Sequence, residues 1–330
     1  MNSRTKMRWK ARLARYPAAF WALRKMVRAW RAGRSVLFRG RSFWDEAVVA
    51  AEADQPGGWL DLELIEREYI RPRISGDSDT DYLRHFVGRH LEVPVESGLS
   101  LGCGGGHVER ALLDLGAVGS MRGLDASVES IHLARELAER DGWAHQVEYE
   151  VTDLDHVVLP AETYDFVVAK MALHHFSRLE HVYEQVAAAL RPGGCFLVNE
   201  YVGPDRFQWT ERQLQLANQW LDKLPKDLRR CVPQPSIRRP TVEEMKADDP
   251  TESVRSSEVL PLLRERFEVV DERPYGGTVL QLLLAATLPA FDLGDSSHQE
   301  ILRRWCEEEG RLVDSGELPS DFYYVVARKT

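Results

Sequence analysis

The chain has 330 residues, 44% of them hydrophobic and 29% charged, which is enough apolar material for one large core or two modest ones and excludes a disordered polymer. Cys103, Cys195, Cys231 and Cys306 lie far apart without a CxxC pair, which argues against a disulfide scaffold or zinc ribbon and for a reducing, cytoplasmic setting. The net charge of −9 is uneven: up to Trp44 there are 13 Lys/Arg and no acid, and beyond it 30 basic against 52 acidic residues. An acidic body of this kind argues against a nucleic-acid partner.

Residues 1–44 read as a basic amphipathic helical arm. Trp9, Leu13, Tyr16, Phe20, Leu23, Val27 and Trp30 recur at spacings of three and four, so one helical face is apolar and the rest carries arginine and lysine. Pro17 divides the arm into two helices and sits in the first turn of the second. Such a face packs on the acidic body or a second subunit, or lies peripherally on an anionic membrane at its inner surface, and both readings stay open. A cleaved targeting peptide fits less well, because serines are few and no small-residue cleavage site follows an apolar run. The longest apolar stretch, Val279 to Phe291, is interrupted by Gln281 and Pro289 and is too short to span a bilayer.

Residues 45–96 form an acidic helical extension with a turn-rich break at Arg71–Asp77. Residues 97–203 then alternate strand and helix. Gly98–Leu101 is a short strand leading into Gly102-Cys-Gly-Gly-Gly106, and His107–Leu115 is a helix stopped at Gly116. Met121–Asp125 is a second strand, and Ser127 caps a helix whose Val128, Ile131, Ala134, Leu137 and Ala138 share a face. Val147–Val151, Asp165–Ala169 and Cys195–Glu200 supply three further strands, with a helix over Leu179–Leu190 and a turn at Arg191-Pro-Gly-Gly194. Five such alternations imply a doubly wound, Rossmann-like α/β sheet. Residues 204–262 carry one helical stretch (Thr210–Leu221), many prolines and no strand pattern, and read as an insertion able to cover the strand ends. Residues 263–330 return to the sheet through Phe267–Asp271, two helical stretches and a last strand over Asp321–Ala327.

Ligands of such sheets bind beyond the carboxyl ends of the strands. There the Gly102–Gly106 loop lets backbone approach a ligand, with a helix N-terminus behind it. The pattern is GxGxG, with His107 where a dehydrogenase fingerprint would want its last glycine. Asp125 ends the second strand, where a carboxylate accepts ribose hydroxyls, and Asp153 ends the third, within reach of an adenine amino group. Either alone reads as an ordinary capping acid; together with the loop they point to an adenosine whose tail lies against the glycines.

LSLGCGGGHVER, GLDAS, VTDLD, YDFVVAKMALHHF and LRPGGCFLVNEY together resemble the class I S-adenosylmethionine-dependent methyltransferases, strongly over residues 98–202. The resemblance implies a seven-stranded sheet with its last strand antiparallel and S-adenosylmethionine as cofactor. It places Gly102, Gly104 and Gly106 at the methionine part, with Ser100 and Cys103 beside them. Asp125 and Ala126 fall at the ribose, Asp153 and Leu154 at the adenine, and Lys170 near the methionyl end. One departure stands at Ser100: many members carry an acid there that helps hold the cofactor's ammonium group. A looser likeness, to bacterial enzymes of surface-polysaccharide and secondary-metabolite pathways, ranks hydroxylated small molecules and glycans first as acceptors.

Transfer to a hydroxyl needs in-line positioning and a base. His174 or His175 suits proton abstraction, against a packing or cofactor-side role. Glu200, closing the fifth strand, either orients an acceptor hydroxyl or bonds to a neighbouring loop. Tyr201, Arg206 and Gln208 are acceptor-side candidates, while Phe207 and Trp209 form a sugar platform or seat the insertion. No metal site is expected, because His174 and His175 lack a carboxylate at ligand spacing. N- or C-methylation of a metabolite, as in quinone pathways, and a cofactor-binding regulatory or scaffold subunit are the alternatives.

Overall fold

The structure, a computed structural model, describes residues 58–232 and 235–329; the basic arm and residues 45–57 lie outside the described residues. Seven strands form one sheet: β1 (Val95–Leu101), β2 (Val118–Asp125), β3 (Val147–Val151), β4 (Tyr164–Lys170), β5 (Leu190–Tyr201), β6 (Phe267–Gly276) and β7 (Phe322–Lys329). Their order is β3-β2-β1-β4-β5-β7-β6. The first five run parallel, and β7 is antiparallel to both β5 and β6.

The central strands are apolar on both sides because both faces are covered. In β1, Leu99 and Leu101 face one core, with Val167, Phe196 and Val198. That side is closed by helices Leu179–Ala189 and Val259–Arg266, whose Val182, Val186, Leu260 and Leu263 join the cluster. Phe166, Val168 and Leu197 face the other core, under helices Tyr82–His90 and His107–Asp114.

Taken in chain order, the helices are α1 (Glu63–Ile65), α2 (Arg71–Ser75), α3 (Tyr82–His90), α4 (His107–Asp114), α5 (Val128–Asp141), α6 (Leu179–Ala189), α7 (Glu211–Asp222), α8 (Lys226–Cys231), α9 (Val242–Asp248), α10 (Val259–Arg266), α11 (Leu280–Thr287) and α12 (Ser296–Asp314). The break expected at Arg71–Asp77 comes later. A π-helical turn, Glu66–Ile70, runs straight into α2, so Pro72 lies inside a continuous helical run just after the wider turn, and Gly76 at φ 84° ends it. Ser127 caps α5 as its sequence implies, accepting the Ser130 amide. The Arg191–Gly194 turn is absorbed into β5 as an irregularity, with Gly193 at φ 79°. α10 straddles the 262 boundary and packs on the sheet layer, so the insertion proper ends before it.

The insertion is anchored by α7. Thr210 and Gln213 form a reciprocal capping box, and the Gln213 amide nitrogen donates onward to Thr278 and to Asp321 at the start of β7. Leu216, Ala217, Trp220 and Leu221 of α7 enter the same core as Leu280, Leu283 and Leu284 of α11. The insertion therefore leans on the C-terminal helices and reaches across the carboxyl ends of β4 and β5. Among the described residues no helix is long and apolar enough to cross a membrane.

Candidate active site

The glycine loop is held open by its own backbone. The amides of Gly102 and Cys103 donate to the Leu124 carbonyl at 2.8 and 3.0 Å, so the end of β2 carries the loop. Asp125 tightens it: Oδ2 accepts the Gly104 amide at 2.8 Å and Oδ1 the Ser127 amide at 2.8 Å. Gly104 has φ +52°, a conformation side chains rarely adopt, and a Cβ there would meet nothing within 4 Å, so this residue faces open space. At Gly102 a Cβ would come within 2.5 Å of the Ala172 Cβ, which fixes how closely the loop approaches the turn after β4.

Ser100, the departure noted in the sequence, is buried behind this loop. Glu109, in the first turn of α4, is fully buried as well. Burial pushes its carboxyl up to about 7; the Ser100 hydroxyl beside it eases the charge, and neither carboxyl oxygen completes a hydrogen bond of good geometry to a described residue. Nothing in the sequence singled Glu109 out, because an acid in the first turn of a helix is ordinary dipole chemistry.

Lys170 closes β4, its ammonium 5.7 Å from the centroid of the Tyr82 ring. Crowding by the surrounding protein depresses its pKa although the residue remains exposed to solvent, and Asp61 and Glu66 oppose the shift, so the extension borders this end of the crevice. Tyr82 is itself a polar orphan, its hydroxyl buried without a partner. Cys103 is buried and burial pushes its thiol up, making it inert. Ala126 is exposed and Leu154 buried at their strand ends. Asp153 caps the turn Leu154–His156 by accepting the Asp155 amide at 3.1 Å, contacts His156 at 2.9 Å, and keeps 70% of its side chain exposed.

Across the crevice the turn Leu173–His175 follows β4. Glu200, fully buried, accepts the amides of Ala172 (2.7 Å), Leu173 (2.6 Å) and Tyr201 (2.6 Å), and its Oε1 accepts from His174 Nδ1. The bond to a neighbouring loop is thus the role its oxygens take. Tyr201 donates to the Pro204 carbonyl at 3.0 Å, Arg206 to the Glu252 carbonyl at 3.0 Å, and Gln208 to the carbonyls of Arg206 and Pro240 at 3.0 and 2.9 Å. These three side chains pin the insertion, as do Phe207 and Trp209, stacked at 5.3 Å with Phe207 edge-on to Tyr201.

The insertion returns two carboxylates to the histidines. Glu252 Oε1 lies 3.5 Å from His174 Nε2, and Asp249 Oδ2 lies 3.9 Å from His175 Nδ1. Thr251 Oγ1 is 3.3 Å from the same His175 nitrogen and donates to Asp249. Burial opposes charge on His174 and the Glu200 carboxylate overrides it, so its pKa stands above the ordinary value. Burial, reinforced by the neighbouring His174, pushes His175 down to about 2 and keeps it neutral. Glu252 is raised, first by burial and then by Asp249 and Glu200, against the pull of His174. Four of the five non-glycine residues with positive φ among the described residues, Met171, Arg206, Phe207 and Ser253, flank this cluster, and each such position costs on the order of 1–3 kcal/mol. Glu252 and Asp249 sit in a patternless stretch far along the chain, where sequence gave no signal.

Residues 99–198 match the family described as "Methyltransferase domain". Over that stretch the chain is similar to class I methyltransferase domains. Over 123 residues the chain is 35% identical to a ubiquinone biosynthesis O-methyltransferase of a Methylobacterium species, covering 35% of this chain and 48% of that protein. A sterol 24-C-methyltransferase of Aspergillus fumigatus is 31% identical over 126 residues, covering 38% of this chain and 32% of that protein. The chain thus spans about half or less of these relatives' length. Among solved structures, the cyclase SpnF superposes with a TM-score of 0.50 at 18% identity over 87% of this chain and 93% of that one, a likeness of fold alone.

Proposed function

We propose that the protein is an S-adenosylmethionine-dependent O-methyltransferase acting on a hydroxylated small molecule or sugar. What carries the reading is the pairing, across one crevice, of a glycine loop open at Gly104 with a histidine–carboxylate cluster roofed by the insertion. The residues present suit the cofactor. Asp125 stands where ribose hydroxyls would meet a carboxylate, and the Leu154 backbone and Asp153 border the adenine end. Glu109, a buried carboxyl beside the Ser100 hydroxyl with no hydrogen bond of good geometry, stands behind the loop where Ser100 leaves the cofactor's ammonium without an acid.

The bound cofactor supplies a methyl group already activated by a positive sulfur. The protein's work is then to exclude water, align the acceptor oxygen and take its proton. His174, held at Nδ1 by Glu200 and facing Glu252 through Nε2, provides the proton-sharing pair; neutral His175 beside it adds no competing charge. The roofing insertion, tied down through Arg206 and Gln208, shields that pair.

Calorimetric titration of the full chain with S-adenosylmethionine and its demethylated product should give one site for each. Label from a radioactive methyl donor should then enter a nucleotide sugar, lipid-linked glycan or phenol. Absence of binding to both ligands would remove catalysis and its regulatory-subunit alternative together. Binding without transfer would favour a regulatory subunit, and label on nitrogen or carbon alone would move the protein to the N- or C-methylating group.

A further inference from the structure

We propose that His174, His175 and Glu252 bind a divalent transition-metal cation that takes an acceptor oxygen as a further ligand; in the metal-bound protein the cation acidifies that hydroxyl, whose proton leaves to water, in place of proton uptake by the His174–Glu252 pair. The inference rests on the methyltransferase reading for its purpose, though not for its geometry. One ligand atom from each of the three residues lies within 4.8 Å of the other two. The 3.5 Å between His174 Nε2 and Glu252 Oε1 is long for a hydrogen bond. It matches two ligands held about 2.0–2.1 Å from one ion at a tetrahedral angle, which are about 3.4 Å apart.

The surroundings carry the argument further. A metal-binding imidazole gives its other ring nitrogen to a carboxylate, which fixes the tautomer and aims the lone pair. His174 does this: Nδ1 goes to Glu200, itself immobilised by three backbone amides. Three carboxylates, Glu200, Glu252 and Asp249, thus face two imidazoles. The guanidinium nearest them, Arg206, donates to the backbone carbonyls of Asp249 and Glu252 and not to their carboxylates. A dication would balance that buried negative charge. Glu252 keeps 23% of its side chain exposed, which leaves an entry path. Two nitrogen ligands favour zinc, cobalt or nickel over magnesium, calcium and manganese, which prefer oxygen.

A second histidine–carboxylate group provides the internal contrast. His85 and His90 both meet Asp271 Oδ2 at 3.1 Å, but there Arg273 lies 2.6 Å from Oδ1 and Arg89 3.8 Å from Oδ2. The charge a metal would satisfy is already met by guanidinium.

The test uses the full chain, stripped with chelator, dialysed and titrated with Co2+, read by visible absorption and calorimetry. One equivalent should bind. His174→Ala and Glu252→Gln should weaken it at least about 100-fold and Glu200→Gln about 10-fold, in line with ligand and outer-shell losses. His85→Ala should change nothing. Each variant is also titrated with S-adenosylhomocysteine, whose unchanged affinity certifies a folded crevice. Wild-type protein that takes up no cobalt would overturn the site, as would uptake that survives Glu252→Gln and disappears in His85→Ala. Cobalt uptake by a chain that binds no S-adenosylhomocysteine would instead leave the site and remove the methyltransferase reading.

Discussion

Glu109 and Glu309 are both fully buried, and burial pushes both carboxyls up to about 7. Their company differs. Glu309, on α12, accepts the amides of Gly277 at 2.8 Å, Val279 at 3.3 Å and Leu280 at 3.2 Å, and so caps α11 from a distant helix. Glu109 has the Ser100 hydroxyl beside it and no completed hydrogen bond. Equal burial therefore serves two ends: one acid satisfies the donors of a helix start, and the other stays without a well-formed hydrogen bond behind the glycine loop.

Three experiments press on that difference. The largest effect belongs to Glu309→Ala, which strands three buried amides. Urea denaturation should show a loss of about 3–5 kcal/mol, and an unchanged midpoint would mean that the cap is incidental. Next comes pH. An acid whose folded pKa exceeds its unfolded value of 4.5 keeps its proton longer when folded, so its contribution is full below about pH 4.5, declines as pH rises to about 7, and is flat beyond. Each glutamate should account for about 3 kcal/mol of that decline. In Glu109→Gln the difference from wild type should grow in the variant's favour by about that amount between pH 5 and 8, and parallel curves would show that Glu109 is not the titrating group. The smallest effect is on ligand. Glu109→Gln should weaken S-adenosylhomocysteine about tenfold, or about 1.4 kcal/mol, and leave 5′-methylthioadenosine, which has no ammonium, unaffected. Equal losses for both ligands would place the role of Glu109 in the loop's shape instead.

The parts of the crevice that could be read in advance are those built from contiguous residues. The Gly102–Gly106 loop, Asp125, Asp153 and the His174–His175 pair each sit at or within a few residues of the end of a strand that the sequence pattern announces, and the structure keeps them at the carboxyl ends of those strands or in the turn beyond. Distant partners could not be read this way. Gln208 and Arg206 resemble an acceptor platform until their donors are seen to end on backbone carbonyls of the insertion. Glu200 carries no local mark of the three amides that occupy it.

Periodicity and turn chemistry, which act over a few residues, were enough to specify the alternating sheet, its crevice and the nucleoside it suits. Which buried acid finds a partner, and which carboxylates come to face His174 and His175, was decided only when the insertion folded back over the strands. Those pairings depend on distances between segments far apart in the chain, and only packing of the two cores sets such distances.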